Sequence, residues 1–343
     1  MQQLIAQAKV AQQHGDTATA IEKYRVIIKL APELAPAFNN LGMLCLKDGD
    51  YSHAVEALNR ALELDPSLHS ASGMLGMSYF RLGMNEKAEF PLREALRFNP
   101  DDDDVRMTLA LVLIDLKKYE DAASHLNRLL DRNPKNVEGW YALRKTYVQM
   151  AEDARTKIDE IDSDSVVAHE IAGEIDESML NYSGAMVEYQ RAIDKAPNQP
   201  GTHMSMGNVY WRIGRWEAAQ TEFKAELTNN PNNCIAHWKL ADAMLEANGS
   251  SKDAVSELNR SIDMCPNLMP ARIDRARAFI RLSEHSDALA DLLIAEKDKP
   301  SEPTIHFLLA SVYQAEGRHA DAQQEMRIFQ QLQLQSAPAG TAK

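Results

Sequence analysis

The chain is predicted to be an all-α solenoid of about ten helix-turn-helix repeats, because three residue types recur on one frame. Prolines stand at Pro32, Pro66, Pro100, Pro134, Pro197, Pro231, Pro266 and Pro300, in steps of 34 or 35 residues apart from one of 63. Ser163 lies 34 residues before Pro197, so the long step divides into 29 and 34. With each proline at position 32, repeats begin at residues 1, 35, 69, 103, 137, 166, 200, 234, 269 and 303. Small residues then recur at position 8 (Ala8, Gly42, Gly76, Ala110, Gly173, Gly207, Ala241, Ala276, Ala310) and alanine at position 20, from Ala20 to Ala322. Glycine marks position 15 in Gly15, Gly49, Gly83, Gly214, Gly249 and Gly317. A fixed period of this length means one supersecondary unit stacked many times.

Each mark has a physical reason. The first helix of a repeat is expected over about positions 2–14, ending at a glycine that tolerates positive φ. The second is expected over about positions 18–31, stopping before a proline that disfavours helical geometry in its predecessor. Small residues at positions 8 and 20 let the two antiparallel helices approach. Larger ones such as Leu41, Leu75, Leu92, Tyr189 and Phe223 fill the space around that contact. Positions 4, 7, 8 and 11 form the buried stripe of the first helix.

The pattern closely resembles the tetratricopeptide repeat. It reads Leu75-Gly76-x2-Tyr79…Ala88-x3-Leu92…Pro100, and again Met206-Gly207-x2-Tyr210…Ala219-x3-Phe223…Pro231. The resemblance covers about residues 1–335 and implies a right-handed superhelix whose first helices line a concave, protein-binding face. Repeat 5 departs from it: Trp140, Leu143 and Tyr147 are in register, but Arg144 occupies the small position and about five residues are missing after Met150. Either the first helix runs straight on or it turns tightly into a shortened second helix near Ala154–Ile161. The expected organisation is an N-terminal array over 1–150, an irregular junction at 151–165, a C-terminal array over 166–335 and a disordered tail at 336–343.

Composition narrows the function. The net charge is −13, and residues 101–200 contribute −9 of it with 12 basic against 21 acidic side chains. A phosphate backbone would be repelled, so nucleic acid is not an expected partner. The longest apolar run, around Met107 to Leu116, is too short to span a bilayer and holds Asp115, so membrane insertion is not expected. No charged leader precedes the first helix, which favours a cytoplasmic setting, although an exported protein lacking its leader would read the same. Cys45, Cys234 and Cys265 lack metal-type spacing. Cys234 opens one helix and Cys265 closes its antiparallel mate. The expected state is two buried thiols rather than a disulfide.

If positions 4, 7, 8 and 11 are buried, positions 5, 9 and 12 form the opposite stripe, which the resemblance makes the binding surface. Its N-terminal half is apolar and methionine-rich: Asn39 and Met43, Met77 and Phe80, Met107 and Leu111, then Tyr141 and Lys145. Repeat 6 turns acidic with Glu170, Glu174 and Glu177. Beyond it come Asn208 and Trp211 with Arg212 alongside, then Trp238 and Asp242, then Arg277. Methionine adapts to varied partner shapes. The expected partner is therefore a protein or peptide segment carrying apolar side chains followed by a basic residue. The Lys/Asn clamp of chaperone-tail-binding relatives is mostly absent, with Ile5, Lys9, Asn40, Ser70 and Met74 at its positions.

Catalytic signals are weak. His169, His203, His237 and His306 share position 4. Residues in successive repeats are spread along the array, so they do not surround one ion, and the histidines are expected to pack where the family places tryptophan. His169-Glu170 opens a zinc-type motif whose second ligand is replaced by Gly173. Asp162-Ser163-Asp164 and Asp101–Asp104 are expected to serve helix N-termini. Asn248-Gly249-Ser250 reads as an inter-helix turn. No enzyme chemistry, cofactor or metal is expected, and the primary reading is a non-enzymatic scaffold or adaptor. Two alternatives stand beside it: the repeat region of a larger enzyme such as a glycosyltransferase, and a structural solenoid self-associating through uncapped ends.

Overall fold

Nine two-helix hairpins and one long single helix make up the described residues, 1–336, in the computed structural model. Repeats 1–4 pair α1 (Gln2–Gln13) with α2 (Thr17–Leu30), α3 (Ala35–Asp48) with α4 (Tyr51–Leu64), α5 (His69–Arg81) with α6 (Asn85–Phe98), and α7 (Asp103–Asp115) with α8 (Tyr119–Arg132). A single helix, α9 (Val137–Asp162), follows. Repeats 6–10 pair α10 (Val166–Ser178) with α11 (Tyr182–Lys195), α12 (Thr202–Arg212) with α13 (Trp216–Asn229), α14 (Cys234–Glu246) with α15 (Ser251–Met264), α16 (Met269–Arg281) with α17 (His285–Asp298), and α18 (Pro303–Ala315) with α19 (His319–Ser336). The chain forms two compact units, residues 1–156 and 157–343. Apart from Ser336, the expected tail 336–343 lies outside the described residues.

Position 8 brings the two helices of each hairpin together. A Cβ built on Gly42 would lie 2.5 Å from Leu58 Cγ, and one on Gly207 would lie 2.6 Å from the Phe223 ring. The large residue at position 24 thus closes over the small residue at position 8. The turn after the first helix is just as regular. Gly15, Gly49, Gly83, Gly214 and Gly317 all have positive φ at position 15. Where glycine is absent, Lys117, Leu180, Asn248 and Ser283 adopt the same left-handed conformation. Asn248, not Gly249, is therefore the turn residue of repeat 8, a one-residue correction to the glycine frame. A short polar side chain is tolerated there.

In repeat 5 the first helix runs straight on. Residues 151–162 continue α9 to a length of 26 residues, since no turn residue follows Met150. The next repeat starts under Ser165, whose hydroxyl accepts from the Ala168 N–H. The cap thus falls one residue beyond Asp162-Ser163-Asp164. Asp102 caps α7 as expected.

Another correction concerns the cysteines. Cys234 and Cys265 are joined by a disulfide, with their Cα atoms 6.1 Å apart, within ordinary bridging range. One opens α14 and the other directly follows α15, so the antiparallel pairing brings both to the same end of repeat 8. Cys45 is buried and unpaired.

Candidate partner-binding site

First helices of adjacent repeats pack on one another, α3 on α5 and α5 on α7 in unit 1, α14 on α16 and α16 on α18 in unit 2. No pair of second helices packs comparably among the described residues. Each unit therefore curves with its first helices on the inner side, and the 5-9-12 stripe faces that side.

In unit 1 the stripe lines three adjoining hollows. Asn39, Met43 and Met77 border one of about 370 Å³. Met77, Phe80, Met107 and Leu111 border the next, of about 570 Å³. Met107, Leu111, Tyr141 and Lys145 border the third, of about 420 Å³. Met77, Met107 and Leu111 are shared walls, so the eight residues form one continuous lining. Tyr141 is 66% exposed, and Phe80 and the three methionines are half-buried. Among the described residues, Asn39 Oδ1 is buried without a hydrogen-bond donor.

The acidic residues of repeat 6 divide differently. Glu170 accepts from Gln199 Nε2 at 3.0 Å and from the Thr202 hydroxyl. Glu177 accepts from the Tyr189 hydroxyl at 3.3 Å and pairs with Arg212 at 3.1 Å. Glu174 is exposed. Asn208 is half-buried one repeat further on.

Unit 2 also holds a cluster of aromatic and charged groups on its inner face. Trp211 donates to Asp242 Oδ2 at 2.6 Å, and Trp238 donates to Asp274 Oδ2 at 2.7 Å. Arg277 reaches Glu246 at 2.6 Å, Asp274 at 2.9 Å and Asp242 at 3.4 Å. Lys239 Nζ lies 3.5 Å from the centre of the Trp211 ring and 4.8 Å from that of Trp238, in cation–π contact. Burial pushes the Asp242 carboxyl up to about 6, with the charge of Asp274 adding to it. Burial likewise raises Asp274 and lowers Lys239. The 5-9-12 stripe contains Trp211, Asp242 and Arg277 but omits Lys239 and Asp274 at position 6 and Glu246 at position 13. A wider stripe including position 6 would have found two of these three.

The position-4 residues form a series of braces. His203, His237 and His306 each donate Nε2–H to the carbonyl of the proline six residues earlier, Pro197, Pro231 and Pro300, at 2.9–3.1 Å. Arg106, Trp140 and Arg272 donate to Pro100, Pro134 and Pro266 in the same way. The other ring nitrogen of each histidine meets a carboxylate on the second helix: Glu222, Glu257 and Glu325, at 2.5–2.7 Å. His169, with no proline before it, uses Asp164 at 3.0 Å instead, and Glu188 at 2.7 Å. Burial opposes charge on its ring, but these two carboxylates prevail and hold its pKa above the ordinary value. The four histidines thus occupy separate braces, in repeats 6, 7, 8 and 10, rather than surrounding one point.

Family models of the tetratricopeptide repeat match residues 35–68, 79–147, 204–268 and 273–331, together more than half of the chain. The chain is similar to anaphase-promoting complex subunit 3 of Schizosaccharomyces pombe, 22% identical over 214 residues, covering 58% of this chain and 32% of that protein. It is also similar to DnaJ homolog subfamily C member 3 of Rattus norvegicus, 28% identical over 123 residues, covering 36% and 23%. It therefore spans about a third or less of these curated relatives. Among solved structures, a MamA protein aligns at a TM-score of 0.46 and 17% identity, over 52% of this chain and 97% of that one. Yeast Tom70 aligns at 0.42 and 15%, over 96% and 90%. With its hairpin frame, its left-handed turn at position 15 and the family-model matches over more than half of its length, the chain belongs to the tetratricopeptide repeat family.

Proposed function

We propose that the chain is a non-enzymatic scaffold whose inner face in unit 1 binds an apolar segment of a partner protein. The observation that carries this reading is the unbroken lining from Asn39 to Lys145, in which Met77, Met107 and Leu111 are shared by neighbouring hollows. Methionine side chains adapt to the shape they meet, and contiguous apolar surface is where proteins associate. Asn39 adds a half-buried amide at one end. Lys145 adds a positive charge at the other. A named relative, anaphase-promoting complex subunit 3, is by its name a component of a multiprotein assembly, which supports a scaffold role here.

Within unit 2, Glu174 is the acidic stripe residue left exposed to a basic side chain of a partner. Glu170 and Glu177 are engaged in bonds within the array and would have to exchange partners. The acidic contribution to binding therefore rests on Glu174.

The test is affinity capture followed by mass spectrometry, comparing the wild type with Met77→Glu/Met107→Glu. Both methionines are only half-buried, so helical content should be retained. Partners of the groove should disappear from the variant's profile. An identical profile from a folded variant would rule the groove out.

A further inference from the structure

Position 28, on the second helix, is an apolar wedge between one repeat and the next. Leu62, Leu96, Leu130, Ile193, Leu227 and Ile262 occupy it. In repeat 9 the residue is Glu296, on α17, and it remains half-buried. A carboxylate in an apolar slot is costly without a partner. Its neighbours are the His306–Glu325 pair of repeat 10, which are 2% and 9% exposed. One nitrogen or oxygen from each of Glu296, His306 and Glu325 lies within 4.8 Å of the others.

The imidazole is already oriented for ligation. Its Nε2–H is given to the Pro300 carbonyl at 2.9 Å, and Nδ1 faces the Glu325 carboxylate at 2.7 Å. Metal-binding histidines usually donate their second nitrogen in this manner, which fixes tautomer and ring orientation. Two of the other three histidine braces differ in charge, His203–Glu222 being the exception. Glu188 is also paired with Arg191 and Glu257 with Arg260. Among the described residues, neither Glu296 nor Glu325 meets a lysine or arginine. The junction of repeats 9 and 10 therefore gathers two carboxylates and one imidazole, with no lysine or arginine in contact among the described residues.

We propose that Glu296, His306 and Glu325 bind a divalent metal ion of the zinc class, which clips α17 of repeat 9 to both helices of repeat 10. One imidazole nitrogen and two carboxylate oxygens suit a borderline ion, with bonds of about 2.0–2.2 Å. Tetrahedral ligand atoms around such an ion stand about 3.3 Å apart, so small side-chain rotations complete the set. The ion would lock the hairpin of repeat 10 onto repeat 9.

The same atoms without an ion make a protonated imidazole between two carboxylates, and one substitution separates the cases. Glu296→Leu restores the residue type of the other repeats and should fold. The full chain, stripped with chelator, is titrated with zinc chloride by calorimetry, and its thermal unfolding is followed with and without zinc. The expected wild-type result is one site per chain and an unfolding midpoint several degrees higher with zinc. Glu296→Leu should weaken that site on the order of tenfold or more and lose the zinc-dependent rise. His237→Gln, in a brace without the third carboxylate, should leave both unchanged. No zinc-dependent rise in the wild type, or an equal one in Glu296→Leu, would overturn the proposal.

Discussion

Trp211 donates its indole N–H to the carboxylate of Asp242 across 2.6 Å, which joins the first helices of repeats 7 and 8 through a buried charge. Asp242 is 6% exposed, and its pKa of about 6 in the folded chain lies above the value of 3.8 that it has in the open. Charging this carboxylate therefore costs stability above pH 6, and the cost is relieved as pH falls towards 4.

Asp242→Asn keeps an acceptor for Trp211 and removes the charge, while Asp274 and Glu246 still hold Arg277. The variant should melt higher than the wild type at pH 8, by about 2–4 °C for each kcal/mol gained. The gain should vanish near pH 4.5. Thermal unfolding at both pH values checks this, and an equal shift at both would mean that the charge is not what Asp242 contributes.

His169 carries a pH dependence of the same sign, in a higher pH window. Its ring faces Glu188 and Asp164, which are paired in turn with Arg191 and Lys195. The folded pKa is raised, so the brace contributes fully below about pH 6.5, the unfolded value, and fades as pH rises through the folded value. Glu188→Gln should therefore cost more stability at pH 6 than at pH 9. Denaturant unfolding at the two pH values measures the difference.

The disulfide is countable. Denatured, unreduced protein should expose one reactive thiol, Cys45, and three after reduction. Cys265→Ser should lower stability by up to about 3–4 kcal/mol, the loop-closure value for a bridge of this span. Three thiols before reduction would refute the bridge.

Leu180 adopts φ 60° at position 15 while 69% exposed. A left-handed conformation costs a bulky residue about 1–2 kcal/mol, and glycine avoids this at some expense in unfolded-chain entropy. Leu180→Gly should thus raise stability by up to about 1 kcal/mol. Circular dichroism melts check the sign, and a lowered midpoint would mean that Leu180 makes contacts worth more than its strain.

The hairpin frame was legible in the sequence because it depends on residue size and backbone freedom at fixed spacing. Gly42 under Leu58, and the left-handed turns, are local consequences of that spacing. The residues that line the hollows of unit 1 were legible for the same reason, since a stripe is a property of one helix. What escaped depends on distance between repeats. Lys239 and Asp274 sit at position 6, where only the curvature of the array brings them against Trp211 and Trp238. The role of position 4 escaped because histidine, arginine and tryptophan share no hydropathy or charge. They share only an N–H that reaches a proline carbonyl six residues back. Cys234 and Cys265 pair because the ends of two helices meet, which spacing alone left open.

The most direct measurement is site-specific photocrosslinking in cells, with a benzophenone side chain placed in turn at Met77, Met107 and Tyr141, and at Glu63 on the outer helix α4 as control. The expected result is one partner segment, rich in apolar residues, crosslinked from all three groove positions and not from Glu63. Crosslinks at Glu63 with none in the groove would contradict a partner seated on the inner face of unit 1.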